Sequence, residues 1–519
     1  MSEKKKVTKA AGIVGSATLL SRILGFIRDM VIARYFGAGF STDAFFVAFR
    51  IPNLLRRLFA EGSLSIAFIP VFTEHLKIHG KDQAFEMARS ALRLLSVVLV
   101  IVTLAGILLA PAIVHVIAPG FSDTPEKHEL TVLLTRIMFP YVFFICLVAL
   151  CMGILNVLGH FAAPALAPVF LNLTIIAAVF FISPEMEAPV VTLAFGVLAG
   201  GVLQLALQLP FLVQKGFLFW EKAALYHPGL RKIGKLMLPA IFGAGVYQVN
   251  ILFGTLLASL LEEGSISYLY YADRLVQFPL GVFAISTATA ILPSLSRQAA
   301  EKDYEALKQT FAYAMRLIFF ITLPSAVGLI VLREPIVRLL FQRGSFNAEA
   351  TQMTAYALLC YAVGLWAFSA VRVVISTFYA LSDTTTPVKI ATTAIVANIV
   401  LGFILMWPLA HGGLALATSL ASILNFGMLT YAIRSRLGAL GWRSICYSVL
   451  RSLFCAVLMG ISVWALSCMI IPDQGTVWER SAGISAAVIF GCVVYILLSF
   501  LVKSTELEYI FLTFRKRRG

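Results

Sequence analysis

The residues most able to do chemistry in this chain are arginines set within apolar sequence. The stretch SRILGFIRDMVIARYFGAGFSTDAFFVAFRIPNLLRRLFAEGS holds Arg22, Arg28, Asp29, Arg34, Asp43, Arg50, Arg56, Arg57 and Glu61. Farther on, Asp273, Arg274 and Gln277 follow the aromatic run YLYY, and Arg372 stands in an otherwise apolar segment. A guanidinium presents a planar fork of donors that matches phosphate bidentately, whereas a lysine acts as a point charge. This chemistry suits a phosphorylated or otherwise anionic amphiphile and runs against cationic drugs, whose sites need buried carboxylates. Covalent catalysis is not indicated. There is no GxxxxGK(S/T) loop, and the seven cysteines and seven histidines form no CxxC, HExxH or paired metal-ligand spacing.

The elements that position these arginines are membrane helices. Hydrophobic residues make up 60% of the 519, charged residues 13%, and the mean hydropathy is +0.91. Soluble domains run at about 45–50% apolar and about 25% charged. Apolar runs of about 18 residues or more recur along the chain, without the period-two alternation of an outer-membrane barrel. The reading is an all-α polytopic membrane protein of about fourteen transmembrane helices. They fall at roughly 9–35, 42–60 (or on to 78), 88–117, 129–158, 162–182, 189–213, 235–261, 266–295, 307–332, 349–381, 385–407, 412–434, 443–471 and 480–503. The start, MSEKKKVTKAAGIVGSATLL, resembles a signal peptide, but Arg22, Arg28 and Asp29 follow without a cleavage site. It reads as a retained first helix.

Loop charge gives the orientation. Lys77, Lys81, Lys215, Lys222, Arg231, Lys232, Arg297, Lys302, Arg434, Arg436 and the RKRR tail fall on one side. The alternate loops hold little beyond Lys127, which places both termini in the cytoplasm. Arg333, Arg338 and Arg343 break the pattern and read as a short amphipathic helix at the outer surface. The net charge of +15 is therefore assigned to topology and anionic-lipid contact, not to nucleic acid.

The chain also repeats itself. Arg50 and Arg274 are 224 residues apart, as are Pro111 and Pro335, and Gly120 and Gly344; Arg93 and Arg316 differ by 223, as do Pro164 and Pro387. This implies two parallel six-helix repeats, related by an axis along the membrane normal, as in alternating-access transporters. The expected divisions are an N-terminal lobe (1–213), a cytoplasmic linker (214–234), a second lobe (235–436), two additional helices (437–503) and a basic tail (504–519).

A central arginine facing lipid costs about 2.5–3.5 kcal/mol even on the lenient insertion scale. Arg22, Arg50 and Arg56 must therefore face a wet cavity or a partner. Helical spacing puts Asp43, Arg50, Asn53, Arg57 and Glu61 on one stripe, and Arg22 and Asp29 on one face of the preceding helix. Pro52 predicts a kink within that stripe. Arg28–Asp29, Arg57–Glu61 and Asp273–Arg274 also fit plain salt bridges that hold helices together, whereas Arg22, Arg50, Arg274 and Arg372 have no acidic neighbour of their own.

The arginine-rich run just quoted, continuing to SLSIAFIPVF, together with YYADRLVQFPLGVFAISTATAILPSLS and SDTTTPVKIA, resembles the MurJ (MviN) family of lipid II flippases. That family lies within the multidrug/oligosaccharidyl-lipid/polysaccharide exporter superfamily. The resemblance covers essentially the whole chain. It implies export of lipid II, the undecaprenyl-pyrophosphate-linked peptidoglycan precursor, across the bacterial inner membrane. It also implies a V-shaped central cavity, and a lipid-tail groove bordered by the last two helices. The family's important basic positions fall on Arg22, Arg28, Arg56, Arg57 and Arg274, and polar members of the same motifs on Asp29, Asp43, Asn53, Glu61 and Asp273. Arg50 and Arg372 stand where relatives can carry lysine, and Gln277 where some carry glutamate. Some members bind sodium in the second lobe, where Asn250 and Asp383 are polar candidates without a full ligand set. The implied partners are lipid II, membrane lipids and the cell-wall synthesis machinery, with no cofactor. The competing readings are an exporter of another lipid-linked oligosaccharide, a multidrug/cation antiporter, and a non-transport scaffold.

Overall fold

The computed structural model describes the backbone of residues 3–58, 64–472 and 475–507; Glu61 lies outside them. The described residues are helical throughout, without a strand. The chain divides into two compact units, Met1–Ile266 and Ser267–Gly519.

In the first unit the helices are α1 (Glu3–Phe36), α2 (Phe40–Leu55), α3 (Leu64–Ile78), α4 (Gly80–Leu108), α5 (Ala110–Ile117), α6 (Pro125–Met138), α7 (Tyr141–Val157), α8 (Ala162–Phe181), α9 (Val191–Gln214) and α10 (Pro228–Ser259). The second unit holds most of α11 (Ser265–Pro279), then α12 (Ile285–Ala300), α13 (Tyr304–Val331), α14 (Arg333–Phe341), α15 (Ala348–Ala362), α16 (Leu365–Ala380), α17 (Thr385–Leu437), α18 (Trp442–Ile470) and α19 (Val477–Leu501). Among the described residues, nine helical stretches are long and apolar enough to cross a membrane, or ten if the bent pair α15–α16 is one span. The arginine-bearing α1 and α2 are not among the nine. α17, at 53 residues, would run about 80 Å if straight. It breaks at Ala410, whose φ of 47° and ψ of −135° are non-helical, so two predicted segments share one element.

Glycine makes that turn-back possible. A Cβ on Gly413 would lie 2.1 Å from the Leu405 carbonyl oxygen, and one on Gly412 would lie 2.2 Å from the Tyr356 ring. Close backbone approach of this kind is how small residues pack membrane helices. The same device joins α8 to α9, where a Cβ on Gly196 would come within 2.9 Å of the Ile175 Cα.

Each unit has its own core. In the first, Phe72 stacks on Phe68 (ring centroids 5.3 Å apart) and lies parallel to Phe85 (6.5 Å), which meets Phe217 edge-on. In the second, Phe311, Phe319, Phe320 and Phe378 pack with Cys455, Met459 and Val463 of α18 and Tyr495 of α19. Tyr495 donates its hydroxyl to the Phe320 carbonyl at 2.8 Å, so the last two helices belong to the second unit's core.

Two features bear on the expected organisation. α10 packs on α3, α4 and α5 within the first unit, and the division between units falls after this helix. Two arginines at the expected 223-residue offset each bond to a later segment. Arg93 donates to the Glu221 carbonyl at 2.8 Å, and Arg316 donates to the Ser444 hydroxyl at 3.2 Å, each reaching 128 residues ahead. The basic stretch at 333–343 contains the helix α14, which buries Val337 and Phe341 and pairs Arg338 with Glu334 at 2.9 Å.

Gly413→Ala should destabilise the protein by about 1–3 kcal/mol through overpacking at the turn. Gly427→Ala, with nothing within 4 Å of its Cβ, should cost nothing. Thermal unfolding in detergent compares the two; equal melting points would contradict the assignment.

Candidate anion-binding site

The first unit sorts its arginines into clamped and unclamped groups. Arg28 and Asp29 are both buried, at 8% and 1% exposure. Arg28 donates Nη2 to Asp29 Oδ1 at 2.7 Å and Nε to the same oxygen at 3.1 Å. Its Nη1 donates to Oδ1 of Asn172 on α8 at 3.1 Å, and Asn172 in turn donates Nδ2 to the Ser21 carbonyl. Two helices thus hold the guanidinium, and a charge so paired is tolerable in a low dielectric. Asn172 was not singled out in the sequence; a lone amide in the run FLNLTI was the available signal, since such groups bond across membrane helices.

Arg22, one face along from Asp29, is exposed, and among the described residues it has no ion pair. α8 reaches α1 at both places, through the Asn172 side chain on Arg28 and on the Ser21 carbonyl. On α2, Arg50, Asn53, Arg56 and Arg57 are half-buried. The helix loosens into a π turn at residues 56–58, one turn beyond Pro52, the residue expected to kink it. There Arg56 donates Nη2 and Nε to Asn53 Oδ1 at 2.9 and 3.1 Å. Arg57 forms no ion pair among the described residues, and the expected pairing with Glu61 lies outside them.

Asp43, in the first turn of α2, is buried and takes the Lys127 ammonium of α6 at 3.0 Å. It also accepts the Gly264 N–H at 2.8 Å, and neighbouring Glu263 accepts the Phe40 N–H at 2.7 Å. Lys127 lies 4.4 Å from the Phe121 ring centroid. The lysine that looked like an isolated loop charge is therefore the partner of Asp43. The contact spans 84 residues, which local spacing cannot reveal.

In the second unit, Arg274 donates Nη2 to the Tyr270 hydroxyl at 2.8 Å and lies 4.8 Å over that ring. Gln277 donates to Asp273 one turn below. Arg372 is exposed on α16 and forms no ion pair among the described residues. Of the cation candidates, Asn250 is on α10 in the first unit. Asp383 precedes α17 in the second, where its Oδ1 accepts the N–H groups of Thr385 and Thr386 and its Oδ2 meets Arg436 at 2.6 Å. The Thr386 hydrogen bonds, helped by Arg436, hold the Asp383 carboxyl below the ordinary aspartate range. Among the described residues, no group of three or more His, Cys, Asp or Glu is arranged to hold a metal ion.

Breaking one side of a buried pair strands a charge, at a cost of about 3–5 kcal/mol. Lys127→Met should lose that much stability, and Asp43→Asn combined with Lys127→Met should recover part of it. Thermal unfolding of the single and double variants checks this; simple additivity would contradict the pair.

A family profile described as "Lipid II flippase MurJ" matches residues 32–502. The probable lipid II flippase MurJ of Vibrio cholerae is 39% identical over 506 residues, covering 96% of each chain. The lipid II flippase MurJ of Burkholderia cenocepacia is 38% identical, covering 82% of this chain and 83% of that one. A solved structure of lipid II flippase MurJ in an inward closed conformation superposes with a TM-score of 0.79 at 26% identity, covering 94% of this chain and 98% of that one. An inward-facing MATE family multidrug transporter shares the fold, with a TM-score of 0.68 at 18% identity over 83% of this chain and 99% of its own. The chain belongs to the MurJ family of lipid II flippases.

Proposed function

We propose that this chain moves lipid II from the inner to the outer leaflet of the bacterial inner membrane by alternating access. The observation that carries the reading is the end-to-end similarity to relatives named for that activity. In it, the pyrophosphate is received by Arg22 and Arg57, and the guanidinium of Arg28 is held in a fixed orientation by Asp29 and Asn172. Arg50, Arg56, Arg274 and Arg372 supply further positive charge, while the polyprenyl tail stays in lipid. The Asp43–Lys127 pair serves as a fastener that must release or persist as the protein cycles. Both termini lie in the cytoplasm, and the exported precursor passes to the wall-synthesis machinery outside.

The reading requires no covalent chemistry and no cofactor. An inside-negative potential favours outward movement of an anion by about 2.3 kcal/mol per charge per 100 mV. The same field draws an empty cationic site back inward. Arginine suits this duty because its charge persists at any cellular pH and its fork matches phosphate oxygens.

Complementation of a flippase-depleted bacterium provides the test. Arg22→Ala and Arg274→Ala proteins should reach the membrane at normal levels yet fail to sustain growth. Growth at the wild-type rate would show that these arginines do not carry the headgroup.

A further inference from the structure

A second cluster of titratable groups lies away from the arginines, where the segment between α9 and α10 returns to the first unit. The early part of that segment is fastened by permanent charges. Arg89 of α4 meets the Glu221 carboxylate at 2.5 Å, and Arg93 donates to the carbonyls of Glu221 and Ala223. Phe217 is buried edge-on against Phe85. The later part is fastened by the Lys232–Glu74 pair and by histidines. His75 and His79, one turn apart on α3, have ring centroids 5.1 Å apart, and His227, the residue before α10, brings its ring to 5.5 Å from His75. The histidines, which formed no paired arrangement by motif, are thus gathered by the fold.

The contact is close. Gly229 is buried, and a Cβ there would lie 2.7 Å from Met87 Sδ, 2.8 Å from His75 Nε2 and 3.1 Å from His227 Nδ1. His227 Nδ1 accepts the Gly229 N–H at 3.1 Å, capping α10. His75 Nε2 is buried without a hydrogen-bond partner among the described residues. The charged groups around His75 are Glu74 and His79 on α3, His227, and Lys232 on α10; the uncharged Met87 of α4 faces Gly229 on the same side. Lys232 already pairs with Glu74 at 2.6 Å, which leaves little negative charge to offset a proton on His75.

We infer that His75, packed against the rings of His79 and His227, forms a pH-sensitive clasp that holds the start of α10 to α3 when His75 is neutral and loosens it when His75 is protonated. Burial, with His79 and His227 nearby, lowers the pKa of His75 below its ordinary 6.5. A lowered value means the closed contact is at full strength above that pH and is lost as pH falls through the depressed value. The arginine-held part of the segment has no such response, and the Lys232–Glu74 pair stays charged, so acid loosens the helix end around the histidines while the preceding residues stay docked. This inference is independent of the substrate assigned above.

Hydrogen exchange of the full-length protein in nanodiscs tests it, with rates corrected for the intrinsic pH dependence. Peptides covering residues 224–235 should lose protection about three- to tenfold between about pH 7.5 and about pH 5.5, while those covering 216–223 should not. His75→Gln should abolish the response, and Gly229→Ala, which forces the ring and Met87 apart, should leave the peptides open at both values. His79→Gln, at an exposed position, is a second variant that should weaken the response. Unchanged protection in the wild type, or a full response in either histidine variant, would overturn the clasp.

Discussion

A guanidinium cannot be left in hydrocarbon, and much of this structure follows from how each one is accommodated. At about 2.5–3.5 kcal/mol for each lipid-facing arginine, the charges on α1 and α2 would otherwise offset much of a typical domain's stability of about 5–15 kcal/mol. Arg28 is answered by Asp29 and Asn172, Arg56 by Asn53, and Arg274 by the hydroxyl and face of Tyr270. Lys127 meets the same demand through Asp43 and an aromatic ring. Arg22 and Arg372 are exposed and without an ion pair among the described residues, so they need water or an anion rather than lipid.

That division separates two kinds of work. In the proposed cycle, a guanidinium paired with a carboxylate, as Arg28 is, contributes little net charge. One clamped by neutral groups contributes a fixed positive potential at little reorganisation cost, whereas an unclamped one closes on a ligand and lets go of it. A transporter needs both, because binding too firm to release would stop the cycle. Arg93 and Arg316, at the spacing expected of a repeat, each bond to a segment 128 residues ahead.

The membrane helices and the arginines were legible because both are local signals: long apolar runs, and charges that interrupt them. The partners were not. Asp43 meets Lys127 across 84 residues, and Arg28 meets Asn172 across 144, distances at which periodicity carries no information. The placement of α10 with the first unit depends on its packing against α3, which no boundary in composition announces. His75 and His79 were one helical turn apart in plain view, but motif spacing alone did not suggest His227 as a neighbour. The turn at Ala410 falls in the gap between the predicted segments 385–407 and 412–434, whereas the Leu405 carbonyl that demands a glycine there was not legible.

The most direct measurement reconstitutes the purified protein in liposomes with lipid II and follows the leaflet in which the headgroup is accessible, under an imposed inside-negative potential. The wild-type chain should move the headgroup outward, Arg22→Ala should be slower by at least about tenfold, equivalent to about 1.4 kcal/mol, and a polyprenyl lipid lacking phosphate should not be moved by either. Equal rates for wild type and Arg22→Ala, or movement of the phosphate-free lipid, would contradict the claim that arginines within the membrane helices carry an anionic headgroup.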